Sequence, residues 1–237
     1  MRFRPCIDLH GGRVKQIVGS TLRDGSDPAT NFDTHKRAAE YARLYRDDGL
    51  MDGHVIMLGA GNEAAAREAL ESFPGGLQVG GGIDASNAES WLEAGAAAVI
   101  VTSTIFVDGR LDRDCLGSLA DQVGRDRLVL DLSCREENGQ YVAMTNRWQT
   151  LTDVTIDAAT LGELSQYCCE FLIHAIDKEG QITGIDGRLL AIVSEAAPGQ
   201  ITYAGGVSSP SDLETILRVG KGRVDFTVGS ALDLFGG

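Results

Sequence analysis

The sequence predicts an α/β fold, a (β/α)8 TIM barrel built from two homologous half-barrels. Three observations support it: apolar runs alternate with amphipathic segments, landmarks recur half a chain apart, and the 237 residues suit one barrel. An open doubly wound sheet is the alternative. Because no linker or low-complexity segment interrupts the pattern, we predict a single domain over residues 1–237.

The internal repeat is carried by three kinds of landmark. Each half contains an apolar run that ends in an aspartate, a glycine turn, and a strand that ends in a serine. The matched pairs, at offsets of 123, 124 and 127 residues, are Asp8 and Asp131, Gly81 and Gly205, and Ser103 and Ser230. Landmarks in one order at nearly one spacing indicate homologous halves, so we expect repeats at about 1–124 and 125–237.

The predicted elements follow from the hydrophobic pattern in chain order. Strands are expected near 3–9, 53–58, 77–81, 97–101, 127–132, 170–175, 200–205 and 223–228. Helices are expected at 34–48, 63–72, 85–94, 111–123, 156–167, 186–195 and 209–219. The connections 11–33 and 133–155 are longer than a barrel needs. Since they follow strands 1 and 5, we expect binding loops at the rim where barrel enzymes place their chemistry.

Composition excludes several classes of protein. No apolar run approaches the roughly 18 residues that cross a bilayer, and the first strand follows Met1 too closely for a signal peptide, so we expect a cytoplasmic protein. The net charge of −13 argues against nucleic-acid and membrane partners. Five cysteines form no C-x-x-C pair and have no histidine at ligand spacing, so no metal site is expected.

Two glycine turns are candidate phosphate sites. Gly81 and Gly82 in one half, and Gly205 and Gly206 in the other, lack side chains where a strand turns into a helix, so backbone N–H groups can approach an oxyanion. Further hydroxyl and N–H donors follow the next strands, at Thr102, Ser103, Gly229 and Ser230. The alternative is that these glycines only permit tight turns. Their recurrence favours a long substrate with a phosphate at each end.

Asp8 and Asp131 are the candidate catalytic acids. Each follows an apolar run, so it is either the solvated first residue of a loop or a catalytic group. In a barrel of matched halves the two carboxylates project across the mouth between the phosphate sites. One carboxylate can take a proton while the other gives one, which suits isomerisation at a carbon next to a carbonyl or imine.

Six stretches carry a resemblance that covers nearly the whole chain. They are CIDLHGGRVKQIVG from Cys6, LQVGGG from Leu77, VLDLSCR from Val129, WQTLTD from Trp148, HAIDKEG from His174 and YAGG from Tyr203. The chain resembles the phosphoribosylformimino-5-aminoimidazole carboxamide ribotide isomerases of histidine biosynthesis, in the form typical of fungi and plants. The resemblance implies an Amadori rearrangement of an aminoaldose to an aminoketose, without a cofactor.

The resemblance also implies residue roles. In that family the aspartate matching Asp8 is the general base at C2 of the opened ribose, and the one matching Asp131 is the general acid that protonates the ring oxygen. Trp148 matches a loop tryptophan that closes over the imidazole part of the ligand; a structural tryptophan is the alternative. The binding residues expected from the match are Lys15, Gly19, Gly81, Gly82, Thr102, Ser103, Trp148, Gly180, Gly205, Gly206, Gly229 and Ser230.

Three departures from the family pattern stand out. Bacterial members carry an acid near the end of strand 2, where this chain has Leu58-Gly59-Ala60. The bacterial threonine at the end of strand 6 is matched by His174, which is either a structural residue or, as we hypothesise, a catalytic one facing the ligand beside Asp131. The sequence stops where the family continues into a last outer helix, so the barrel could lack that helix.

Two other functions remain open on the sequence. One is the cyclase of the next pathway step, a sister barrel with two aspartates and two phosphate sites that lacks the loop Trp-Gln. The other is a non-catalytic binder of bisphosphorylated ligands. In each case the expected partner is a small bisphosphorylated molecule, and we expect a monomer. Whether phosphoribosylanthranilate is also a substrate stays undecided.

Overall fold

Eight parallel strands follow one another around a barrel in chain order. The computed structural model describes residues 1–17, 21, 29–178, 184–196 and 199–235. The barrel strands are β1 Cys6–His10, β2 Gly53–Met57, β3 Leu77–Gly80, β4 Val99–Val101, β5 Leu128–Glu137, β6 Glu170–Ala175, β7 Gln200–Ala204 and β8 Val224–Phe226. The barrel closes where Phe3 pairs in parallel with Phe226 and the Arg4 amide donates to the Phe226 carbonyl at 2.8 Å.

Seven helices lie between these strands in the described part of the chain. They are α1 Ala38–Asp47, α2 Glu63–Ser72, α3 Ala88–Glu93, α4 Arg113–Val123, α5 Ala158–Leu164, α6 Gly187–Ala196 and α7 Pro210–Val219. Side-chain caps fix several N-termini: Asp112 begins α4, Asp157 begins α5, and Ser209 begins α7, which has proline at its first position. Among the described residues, no helix combines the length and apolar character needed to span a membrane.

The predicted fold class is confirmed, and the strands and helices lie where the pattern placed them, with ends shifted by a few residues. The two long connections hold additional antiparallel strands that the pattern did not predict. Arg13–Ile17 pairs with β1 and Thr30–Asp33, while Gln140–Thr145 pairs with an extension of β5 and with Thr150–Thr155. After β8, the described residues form a 3-10 turn, Asp233–Phe235. The division into two half-barrel repeats stays a prediction.

The barrel interior is built in layers because alternate residues of each strand point inward. A buried apolar layer inside the barrel contains Ala98, Ile100, Val129, Leu172 and Ala204. Two positions further along β5 and β6, the same inward face brings Asp131 and His174 above this layer. A larger apolar core lies between the strands and the outer helices. The two-residue period of the strands therefore places polar side chains at the C-terminal mouth of the barrel, above the buried apolar layer.

A buried charged network fills the N-terminal end of the barrel. Arg4 is 1% exposed; its Nε donates to Asp225 at 2.9 Å and its guanidinium lies 2.6 Å from Asp52. The Glu170 carboxylate accepts a hydrogen bond of 2.8 Å from Gln78. Pairing keeps these charges from being buried alone, which would be strongly destabilising.

Candidate active site

A cavity of about 1150 Å³ opens at the C-terminal ends of the strands. Most of the residues singled out from the sequence line it: Asp8, Gly81, Gly82, Thr102, Ser103, Asp131, Trp148, His174, Gly205, Gly206, Gly229 and Ser230. Gly19 and Gly180 lie outside the described residues. The structure thus brings both aspartates and both glycine turns to one cavity, with room for an extended ligand between the turns.

Lys15 is not among the described residues that line the cavity, and its role in phosphate binding stays a prediction. It lies in the strand Arg13–Ile17, where side chains alternate between two faces. Gln16 donates a hydrogen bond to Asp8, and the register partner of Lys15 is Asp33 in the neighbouring strand.

Asp8 is half-buried at the end of β1. Its Oδ2 accepts a hydrogen bond of 2.8 Å from Nε2 of Gln16. Gln16 is itself 2% exposed, so the donor is held inside the protein rather than presented from solvent. The Asp8 carboxylate is therefore held by a buried donor at one of its two oxygens.

Asp131, the fourth residue of β5, has a different environment. Its Oδ1 accepts from the Ser133 hydroxyl at 2.9 Å and its Oδ2 from the Thr102 hydroxyl at 3.3 Å. Burial raises the pKa of the Asp131 carboxyl, and nearby His174 and the two hydroxyls act in the opposite direction. The net rise in pKa keeps the proton on Asp131 to higher pH, as a proton donor requires.

His174 and Trp148 meet at the mouth of the barrel. Their ring centroids are 5.3 Å apart and the planes are at 82°, an edge-to-face arrangement. Trp148 has a φ of 64° and follows Asn146 and Arg147, whose φ values are 51° and 52°. Three successive non-glycine residues in the left-handed region cost on the order of 1 kcal/mol each, so the rest of the hairpin has to maintain this conformation.

The hairpin is attached to the site by the Ser103 hydroxyl, which accepts a hydrogen bond of 3.3 Å from the Asn146 amide. The other half contains a matching contact, because the Ser230 hydroxyl accepts from the Asn31 side chain at 3.1 Å. In each half, therefore, the serine after one barrel strand contacts the long connection that follows the next strand around the barrel. Both connections lie against the predicted phosphate sites.

The glycine turns share a backbone geometry that other residues cannot adopt easily. Gly81 has a φ of +95° and Gly205 a φ of +103°. A Cβ added at Gly81 would overlap the Met57 carbonyl oxygen, and one added at Gly205 would lie 2.6 Å from the carbonyl oxygen of Ala175. Both glycines are therefore required by contact with the preceding barrel strand, as well as by the turn.

The second glycines of the turns differ. Gly82 has a φ of +70°, and a Cβ there would meet nothing within 4 Å. Gly206 has a φ of +77°, but a Cβ there would overlap the Gly184 carbonyl oxygen and approach Lys178. One predicted phosphate site is thus open on this side, whereas at the other Gly184 and Lys178 lie against the glycine.

Three polar residues were missed from the sequence: one that contacts Asp8 and two that line the cavity. Gln16 occupies a buried position in a strand whose side chains alternate between two faces. A polar residue at a buried position was the feature that could have indicated its role. Arg67 lines the cavity from α2, with its guanidinium carbon 4.6 Å from the centre of the Trp91 ring. Arg147 lines it from the hairpin. Both arginines had the sequence appearance of ordinary solvated residues. They place positive charge at the mouth of an acidic protein.

No group of three or more His, Cys, Asp or Glu side chains able to hold a metal ion occurs within the described ranges. The expectation that the protein works without a metal or cofactor stays a prediction. Fold and site together define a barrel protein with an acid pair at the C-terminal mouth, between two glycine turns suited to anions.

The chain belongs to the histidine biosynthesis protein family, whose model matches residues 2–236. A Medicago truncatula relative is 54% identical over the whole of this chain and 78% of its own length. Relatives from Neurospora crassa and Saccharomyces cerevisiae are 51% and 46% identical, each over the whole of this chain and 93% of its own length. All three are named 1-(5-phosphoribosyl)-5-((5-phosphoribosylamino)methylideneamino)imidazole-4-carboxamide isomerase, and the first name adds "chloroplastic". The resemblance identified from the motifs is confirmed.

Proposed function

We propose that the protein is the isomerase named in these relatives, and that it converts the aminoaldose ProFAR into the aminoketose PRFAR in histidine biosynthesis. The observation that carries the proposal is one cavity that contains Asp8, Asp131 and both glycine turns, in a chain aligned with these relatives over its full length. The names of the relatives favour the isomerase over the cyclase that the sequence left open.

Ring opening comes first in the proposed mechanism. Asp131 gives its proton to the ring oxygen of the ribose as the C1–O bond breaks, and the amine lone pair forms a Schiff base at C1. The raised pKa of Asp131, which results from burial, supports its role as the proton donor.

Proton abstraction follows at the next carbon. Asp8 takes the proton from C2, the C–H electrons form a C1–C2 double bond, and the Schiff-base electrons return to nitrogen. The resulting enaminol becomes the aminoketose when C1 gains a proton and the C2 hydroxyl loses one. The position of Asp8 in the same cavity as Asp131 supports this role.

The phosphates are proposed to bind at the two glycine turns. Gly81 and Gly205 bring backbone N–H groups to the cavity wall, and Ser103 and Ser230 add hydroxyls. Because the protein carries a net charge of −13, local donors rather than its overall field have to hold a doubly phosphorylated ligand. Arg67 and Arg147 on the wall support this charge balance.

His174 and Trp148 are assigned to the reacting centre and to the imidazole part of the ligand, respectively. His174 is close enough to influence the pKa of Asp131, and its ring contacts Trp148. We propose that Trp148 stacks on the ligand once it is bound. A cytoplasmic monomer without a cofactor completes the proposal.

Incubating the purified chain with the aminoaldose and following formation of the aminoketose tests the function. Turnover by the wild type and its loss in Asp8→Asn is the expected result. Tight binding without turnover would favour the non-catalytic binder, and turnover only of the aminoketose in the presence of ammonia would favour the cyclase.

A further inference from the structure

We propose that Gln16 is a positioning residue for the Asp8 carboxylate, and that position 229 is glycine to leave room for the Gln16 side chain. The inference rests on the isomerase function proposed above. It gives Gly229 a role other than the anion contact expected from the sequence, and it assigns a function to a residue of the first long connection.

The Gln16 side chain is placed by the antiparallel strand Arg13–Ile17, which folds back on β1 with Leu9 opposite Val14. Gln16 is 2% exposed, and its Nε2 lies 2.8 Å from Asp8 Oδ2. A buried carboxamide that points at a cavity carboxylate is unusual, because an apolar side chain would suit a buried strand position without needing hydrogen-bond partners. Its position therefore indicates a task at Asp8.

Gly229 is in contact with this same side chain. A Cβ added to Gly229 would overlap Gln16 Oε1. The φ of Gly229 is not in the left-handed region, unlike that of Gly205 or Gly206, so its backbone does not require glycine. The space occupied by Gln16 thus supplies a physical reason for glycine at this position.

In the other half of the barrel, the aspartate accepts its hydrogen bond from a different kind of residue. Thr102, the counterpart of Gly229 in the repeat, uses its own hydroxyl to donate to Asp131 at 3.3 Å. On the Asp8 side the hydroxyl is absent and the Gln16 amide donates instead. Each aspartate thus accepts a hydrogen bond from an uncharged donor near the end of the neighbouring strand. The donor is Thr102 for Asp131 and Gln16 for Asp8.

A fixed donor orients the carboxylate that it contacts. The hydrogen bond to Oδ2 restricts rotation of the Asp8 carboxylate, so that its basic oxygen keeps one direction relative to C2 of a bound substrate. Misplacing a catalytic group by about 1 Å costs on the order of a hundredfold in rate, so even partial loss of orientation is measurable. Because this contact does not bind the phosphates, its loss lowers kcat rather than raising KM.

The first test replaces Gln16 by methionine, which keeps the length of the side chain but removes the donor. We expect kcat to fall about tenfold or more with KM within about twofold of wild type, and an unchanged melting temperature. Gln16→Asn, which keeps the carboxamide on a shorter side chain, provides a second variant if the methionine variant folds poorly. Its kcat should fall between those of wild type and Gln16→Met. Gln166→Met removes an exposed side-chain amide that bonds only to the Glu163 carbonyl among the described residues, and serves as the matched control.

A double-mutant cycle tests the role of Gly229. Gly229→Ala alone should lower kcat, because the new Cβ displaces Gln16 from Asp8. In a Gln16→Ala background the same change should have little further effect, because the space is then empty. If Gly229 serves instead as an anion contact, Gly229→Ala will raise KM equally in both backgrounds, which contradicts the proposal.

Asp8→Asn separates failure of this inference from failure of the proposed function. If Asp8→Asn abolishes turnover and Gln16→Met retains wild-type kcat, the positioning role is wrong and the isomerase mechanism stands. If Asp8→Asn itself keeps wild-type kcat, the assignment of Asp8 as the base fails, and the positioning role fails with it.

Discussion

Asp8 and Asp131 occupy equivalent places in the two halves of the barrel, yet their surroundings differ. Asp131 lies beside His174 and two hydroxyls, and burial raises its pKa. Asp8 receives a carboxamide hydrogen bond from a strand of the first long connection. The comparison teaches that two like groups at matching places in a barrel can have unlike neighbours, and this difference is the basis of the opposite proton-transfer roles proposed for them.

The largest expected effect comes from removing the proposed base. Asp8→Asn keeps the shape of the side chain but not its basicity, so kcat should fall by on the order of a hundredfold or more. Ligand affinity should stay close to wild type, because the proposed phosphate contacts lie elsewhere. Steady-state kinetics and a titration with the aminoketose product measure both quantities. Loss of affinity equal to the loss of kcat would contradict a specific role in proton abstraction.

The glycine turns of the two halves can be compared through the effect of a substitution on the free energy of unfolding. Gly206→Ala should lower the free energy of unfolding by about 2 to 4 kcal/mol, because the positive φ and overlap with the Gly184 carbonyl both oppose a Cβ. Gly82→Ala, its counterpart, should cost about 1 kcal/mol, because only the φ opposes it. Urea unfolding of both variants checks the difference. Equal losses would mean that the two turns are equally covered.

His174→Ala should lower kcat about tenfold and move the basic limb of the pH profile to higher pH. The sign follows from the electrostatics: His174 opposes the rise in the pKa of Asp131, so removing it raises that pKa further. Asp131 then keeps its proton to higher pH. A kcat near wild type would mean that His174 has a structural role only. A basic limb moved to lower pH would contradict the proposed effect of His174 on the pKa of Asp131.

Ser133→Ala should produce the smallest effect, a fall in kcat of a few fold at neutral pH. Its hydroxyl also opposes the rise in the pKa of Asp131, so the basic limb should again move to higher pH. The kcat/KM profile of this variant, compared with that of wild type, provides the measurement. An unchanged basic limb would mean that the contact does not affect the proton on Asp131.

Much of this architecture could be predicted because barrel strands and helices have strong periodic patterns. The inward positions of Asp131 and His174 follow from the period of two along β5 and β6. The additional strand Thr30–Asp33 was missed because it is mostly polar and exposed, so it lacks the apolar pattern of a barrel strand.

A feature of the site could be predicted when the chemistry of one residue indicated it. It could not be predicted when it depends on contact between two residues that are distant in sequence. Gly81 and Gly205 were recognised because glycine itself permits the turn. The contact between Gln16 and Gly229 joins residues more than two hundred positions apart, so a motif confined to one short stretch could not relate them.

A kinetic isotope effect tests the division of labour between the two acids most directly. With substrate deuterated at C2, Asp8→Asn should show a full primary effect on kcat, because proton abstraction becomes the slow step. Asp131→Asn should show an effect close to unity, because ring opening, which breaks no C2–H bond, becomes slow. The reverse pattern, or the same effect in both variants, would contradict the assignment of base to Asp8 and acid to Asp131.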